Sequence, residues 1–235
     1  MIEGAHKEDF SMYIQNTTLQ RLYRLGFVLV CQTGIVLQYA IVARIGDVGI
    51  LSCYYTMHSN FICLIYALWL LLRKDGKREN PSVKGAVVVC ILITGIVYHF
   101  LLNGAMEAGV GAVGEVTRMD LVANALVHYV VPLMTLLDYL LFTPKGFMSR
   151  TAPALWLFIP IAYVAFAMIR PGFSKTMFNG FSGKSRYPYP FLDVDLYGVD
   201  KVAAMVILIL ACILVLGFLL VALDFLLGKA ARKKG

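Results

Sequence analysis

ILSCYYTMHSNFICLIYALWLLLRKDGKRENPSVKGAVVVCILITGIVYHFLLN, residues 50–103, holds two apolar runs on either side of a short, strongly basic break. Each run is about 20 residues long, the length an α-helix needs to cross a hydrocarbon layer. The break carries five cations and no segment long enough to fold by itself. Such a stretch reads as a helical hairpin that crosses a membrane and returns.

The same window applied outward gives six spans, at 22–43, 50–72, 85–103, 121–142, 153–169 and 202–227. The composition agrees: 60% of the 235 residues are hydrophobic, 15% are charged, and the mean hydropathy is +0.75. A soluble domain of this size could not bury that much apolar surface. The expected fold is therefore all-α: an integral membrane protein with six transmembrane helices in one bundle, a single domain over 1–235. The polar stretch before residue 22 is followed by a full-length span with no small-residue cleavage pattern, and reads as leading into a retained helix.

With six spans both termini lie on one side. That side collects fourteen Lys and Arg, the other side seven. By the positive-inside rule the N- and C-termini are expected to be cytoplasmic. The net charge of +7 then reads as a topology signal and a contact with anionic lipid, with no nucleic-acid partner. The five cysteines fall within the spans, form no CxxC pair, and imply neither disulfides nor a zinc site. No metal and no cofactor is expected from these patterns. The segment 170–201, between the fifth and sixth spans, is the long outer loop, rich in Phe and Tyr. It is either an interfacial aromatic belt or a lid folded over the outer mouth of the bundle.

Polar residues inside the spans carry the chemistry. At 1.5 Å per residue, Thr56 lies about 9 Å into the second span, His128 about 10 Å into the fourth, and His99 about 6 Å below the end of the third. All three share one level in the outer half. Ser52, Thr56, Ser59, Asn60 and Cys63 follow helical spacing as one polar stripe, whereas His58 points elsewhere. Asn124 and His128 form an i, i+4 pair, and Pro132 has no N–H for the His128 carbonyl, so a kink is expected beside the imidazole. Asp138, about 15 Å deeper, either pairs with a basic residue or stays protonated.

Taken singly, these residues have plainer readings: a helical threonine bonds its own backbone, and a histidine near a helix end braces a neighbour. Together, a threonine hydroxyl and an imidazole at one depth point to nucleophilic attack on an ester, because the hydroxyl needs a base to take its proton. His128 is the first candidate base and His99 the second. Asn60, Asn124, Asn103 and Ser59 are candidates to steady the oxyanion or orient the imidazole. Asp193 and Asp195 could join the site only if the outer loop folds inward. A rival reading makes His99 and His128 ligands of a haem or a metal, and another makes the polar stripe a transporter path.

YYTMHSN (54–60), NALVHYVVPLMTLLDYLLFTPKG (124–146), WLFIPIAYVAFAMIRP (156–171) and YPYPFLDVDLYG (187–198) resemble the six-span androgen-induced-protein-like family, in particular its bacterial members. The resemblance runs through all six spans in order. It implies a hydrolase of fatty acid esters of hydroxy fatty acids that uses one threonine and one histidine, falling here on Thr56 and His128. It also implies a lipid ester drawn from the bilayer as substrate and a place in a bacterial cytoplasmic membrane.

Overall fold

A computed structural model describes residues 13–43, 48–73, 79–103, 117–180 and 183–233. Lys7, Arg44, Lys74, Lys77, Arg78 and Lys234 of the charge count, and Phe181 of the aromatic loop, lie outside the described residues. Among the described residues, six helices are long and apolar enough to cross a membrane: α1 (Thr17–Ala43), α2 (Tyr55–Leu72), α3 (Pro81–Leu102), α4 (Arg118–Phe142), α5 (Ala152–Gly172) and α6 (Val199–Arg232). The chain is thus an all-α, multi-pass membrane protein.

Several ends differ from the hydropathy reading, and local chemistry explains them. The side chain of Asn80 accepts from the Ser82 and Val83 N–H groups and Pro81 follows it, so α3 starts four residues early. Lys84, counted above as a loop cation, is therefore inside the helix and buried. At α4, Thr117 and Asp120 form a reciprocal capping box that sets the start at Arg118. The second span is shorter than expected. Val48–Cys53 is a 3-10 helix, Tyr54 is extended, and α2 begins only at Tyr55. Ser52 consequently leaves the polar stripe and meets the Tyr39 hydroxyl at 3.2 Å. Thr56 lies in the first turn of α2, not six residues inside it. α5 is interrupted at Leu157, where Pro160 has no N–H to give the Trp156 carbonyl.

α1 to α4 pack as a ring in which each helix touches the next and α4 closes on α1; α5 and α6 add to the outside of α3. At one end of this ring lies a buried network of charge. Asp138 of α4 accepts from Arg24 Nε of α1 at 3.0 Å and from Lys84 Nζ of α3. Arg24 also reaches Glu79 at 2.7 Å, and the Tyr66 hydroxyl donates to Glu79 at 3.1 Å. The choice left open for Asp138 resolves as pairing, with one partner on α1 and one on α3. Two anions and two cations satisfy each other there, which is how ionisable groups persist in apolar surroundings. Nearby, Gly146 (φ +81°) passes so close to Gly228 of α6 that a Cβ on Gly228 would lie 2.5 Å from the Gly146 Cα.

The connection from Arg170 to Val199 folds back onto the other end of the bundle. Its hairpin pairs β1 (Phe178–Gly180) with β2 (Gly183–Ser185) in antiparallel register. Buried Arg170 organises it, donating to the Arg186 carbonyl at 2.9 Å, the Thr176 carbonyl at 3.0 Å and Ser174 Oγ at 3.2 Å. Its guanidinium also lies 4.6 Å above the Phe178 ring. Tyr187, Tyr189 and Leu192 are buried against the helices, and Tyr189 packs edge-on to Tyr54 and Tyr163. Phe178, Tyr187 and Tyr189 thus form a packed cover, while Phe173 and Tyr197 remain exposed.

Candidate active site

Thr56 is placed by the first turn of α2, and His128 by a π-helical turn, Leu126–Val130, in the middle of α4. That turn is where the effect of Pro132 appears. The Val131 N–H bonds the Leu126 carbonyl, five residues back, which leaves the Val127 carbonyl facing the N–H that Pro132 lacks. Asn60 Nδ2 fills the gap, donating to the Val127 carbonyl at 3.2 Å and to the Thr56 carbonyl at 2.8 Å. The Val127 carbonyl thus takes a side-chain donor. The His128 carbonyl instead faces Gly95 of α3, where an added Cβ would come within 2.6 Å of it.

His128 Nε2 lies 3.2 Å from Thr56 Oγ1, and His128 Nδ1 lies 3.1 Å from the backbone carbonyl of Asn124. A carbonyl can only accept, so Nδ1 carries the ring proton and Nε2 is left with its lone pair toward the threonine hydroxyl. The ring is buried and stacks on Tyr98, with centroids 3.8 Å apart and planes 14° from parallel. Tyr98 comes from a second π-helical turn, Tyr98–Leu102 of α3. Two local register shifts, one on each helix, therefore hold the imidazole by face and by edge.

Tyr189, which the sequence reading did not single out, is the third member of the arrangement. Its hydroxyl accepts from the Thr56 N–H at 3.3 Å and lies 3.4 Å from Thr56 Oγ1. Burial pushes the Tyr189 phenol above its ordinary range, and hydrogen bonds with Thr56 partly offset this. The signal for this residue was present in YPYP. A residue before proline is restricted to extended backbone, and Tyr189 adopts it, with φ −122° and ψ 137°.

The other candidates serve different ends. Ser59 Oγ donates to the Thr56 carbonyl at 3.0 Å and meets Thr94 Oγ1 at 2.7 Å. Asn60 braces backbone, as above, and its Oδ1 is buried without a partner among the described residues. Asn124 Oδ1 accepts from Gln38 at 3.2 Å, and its backbone carbonyl accepts from His128 Nδ1. Asn103 closes the π-helical turn of α3, its N–H on the Tyr98 carbonyl. His99 is exposed and meets the Tyr129 hydroxyl at 3.2 Å, and neither nitrogen of His128 has His99 as a partner. His58 bonds the Ser52 carbonyl at 2.8 Å on the far side of α2. Asp193 caps the helical turn Val194–Tyr197, and Asp195 pairs with Arg186 at 2.6 Å. Neither carboxylate is a partner of His128, and the backbone carbonyl of Asn124 takes the orienting position.

Comparison of the chain with protein-family models, with curated proteins and with solved structures finds no match.

Thr56 and Tyr189 also form part of the wall of a cavity between α2, α3, α5 and α6, with about 590 Å³ of empty space, its open mouth included. Ile93, Val97, Pro160, Val206, Ile209 and Ile213 make its walls apolar. A hydroxyl aligned with an unprotonated imidazole nitrogen, at the edge of an apolar chamber, can attack an electrophilic carbon whose apolar substituent occupies the chamber.

Proposed function

We propose that the protein is an intramembrane lipid-ester hydrolase with Thr56 as nucleophile and His128 as general base and acid. The observation that carries this reading is the 3.2 Å contact between Thr56 Oγ1 and the lone-pair nitrogen of His128 beside an apolar cavity. His128 Nε2 takes the threonine proton as Oγ1 attacks the ester carbonyl carbon, and the π electrons of that carbonyl move to its oxygen. The tetrahedral species collapses, the bond to the alcohol oxygen breaks, and His128 returns the proton to the leaving alkoxide. Water then attacks the acyl-threonine, giving a proton to His128, and collapse releases the fatty acid and restores the threonine hydroxyl. The apolar chamber suits the acyl chain, which can enter laterally from a bilayer.

The resemblance to bacterial androgen-induced-protein-like proteins supports esters of hydroxy fatty acids as the substrate class and a bacterial cytoplasmic membrane as the location. The excess of Lys and Arg on the side of the termini supports cytoplasmic termini, an orientation that would put the site toward the outer face. Labelling of the purified protein with a fluorophosphonate or a lipid-ester probe tests the assignment. Wild type is expected to label, Thr56→Ala to lose labelling, and His128→Ala to slow it by roughly 10²–10⁴ fold, the usual worth of a general base. Undiminished labelling of Thr56→Ala overturns the nucleophile, and intact turnover in His128→Ala overturns the base.

A further inference from the structure

Among the described residues, Thr56 Oγ1 has two side-chain hydrogen-bond neighbours. One is the base, His128. The other is the Tyr189 hydroxyl, delivered from an element 133 positions away in the chain. Pro188 and Pro190 stiffen the arm on which it sits, and the hairpin organised by Arg170 holds the base of that arm. The placement has a chemical consequence for the hydrolysis set out above, on which this inference rests.

We propose that Tyr189 is a third catalytic residue: its phenol O–H, together with the Thr56 N–H at the N-terminus of α2, receives the oxyanion formed when Thr56 attacks the ester carbonyl. One set of hydrogen positions at rest fits the contacts around Thr56, with the Tyr55 backbone and Tyr163 also hydrogen-bonding to Tyr189. The Thr56 N–H donates to the Tyr189 oxygen, the phenol O–H points to Thr56 Oγ1, and the Thr56 hydroxyl donates to His128 Nε2. The His128 Nδ1–H donates to the Asn124 carbonyl. When Oγ1 bonds to the carbonyl carbon it gives up the phenol hydrogen bond, and the carbonyl oxygen attached to that same carbon becomes the nearest acceptor. The phenol O–H and the amide N–H, which pair with one another at rest, both turn to it.

Three further features fit this role. Tyr189 lines the same cavity as Thr56, so the carbonyl can arrive between them. The first-turn N–H groups of an eighteen-residue helix carry partial positive charge and favour an anion at that point. The buried phenol remains protonated through the neutral range, so it donates and does not compete with His128 for the threonine proton. Asn60 cannot do this work, because its Nδ2 already donates to two backbone carbonyls.

The test uses the full chain in detergent, a nitrophenyl ester of a medium-chain fatty acid, and a fluorophosphonate probe. Wild type, Thr56→Ala and Tyr189→Phe are compared for kcat, KM, labelling rate and thermal unfolding. The expected result is a fall in kcat of about 10²–10³ fold in Tyr189→Phe, the usual worth of one oxyanion donor, with KM changed little and unfolding near that of wild type. A kcat within threefold of wild type in Tyr189→Phe, while Thr56→Ala is dead, overturns the role of Tyr189 and leaves the hydrolase reading standing. Turnover or labelling that survives in Thr56→Ala overturns both.

A fluorinated tyrosine at 189 keeps the ring and the O–H but lowers the phenol pKa. Since an ionised phenol cannot donate, the alkaline limb of the kcat profile is expected to move to lower pH. An unmoved limb means that Tyr189 only packs.

Discussion

Gly95→Ala tests whether the close approach of α3 to α4 is what holds the site. A Cβ at this position would lie 2.6 Å from the His128 carbonyl oxygen and 3.6 Å from Pro132 Cγ. The first contact is with backbone inside a helix, which cannot swing aside as a side chain would. A comfortable carbon–oxygen separation is about 3.3 Å, so α3 and α4 must part locally by about 0.7 Å. Overpacking of this kind costs about 1–3 kcal/mol. The same movement slides Tyr98 off the His128 ring and shifts Ile93, Thr94 and Val97 in the cavity wall.

Misplacement on the scale of 1 Å can cost about 10²-fold in rate, so labelling is expected to slow by ten- to a hundredfold. Gly26→Ala on α1 is the matched control, because its Cβ would meet nothing within 4 Å. Thermal unfolding in detergent and fluorophosphonate labelling read both effects. If Gly95→Ala matched Gly26→Ala in both measurements, the argument that this glycine sets the helix separation at His128 would be refuted.

Removing one partner of the buried charge network should be costly in stability and remote from the chemistry. Asp138→Asn leaves Arg24 and Lys84 with Glu79 alone and is expected to destabilise by about 3–5 kcal/mol, with part regained in Asp138→Asn/Lys84→Met; equal unfolding temperatures for wild type and the single variant would mean that the pairing carries no weight. Arg170→Ala removes three hydrogen bonds from the cover, so trypsin should cut at Lys175, Lys184 or Arg186 well before it cuts wild type, and kcat should fall as Tyr189 loses its support. Asn60→Ala orphans the Val127 carbonyl at a cost of about 1–3 kcal/mol, which a lowered unfolding temperature would report.

The six helices were legible because transfer from water to hydrocarbon is nearly additive along the chain: any run of about 20 apolar residues declares itself without reference to the rest. Helix ends were less legible. They depend on single capping side chains, Asn80 before α3 and Thr117 before α4, and on the turn that delays α2 to Tyr55. Hydropathy is blind to each of these. A lysine such as Lys84 scores as loop by charge alone, yet it is buried once α1 brings Arg24 and α4 brings Asp138 beside it and Glu79, just before α3.

Periodicity and depth put Thr56, His128 and His99 at one level but gave no rotation of one helix against another. That rotation separates His128, whose Nε2 faces Thr56, from His99, which lies exposed beside Tyr129. The sequence by itself determined a membrane-embedded helical bundle and the residue types able to attack an ester, since those depend on local runs and on the chemistry of single side chains. Only the tertiary structure decided which groups meet: Asp138 with Arg24 and Lys84, Asn60 with the carbonyl that Pro132 leaves free, and Tyr189 with Thr56. Hydrogen bonds and ion pairs act over about 3 Å, and packing alone brings residues that are distant in the chain to that separation.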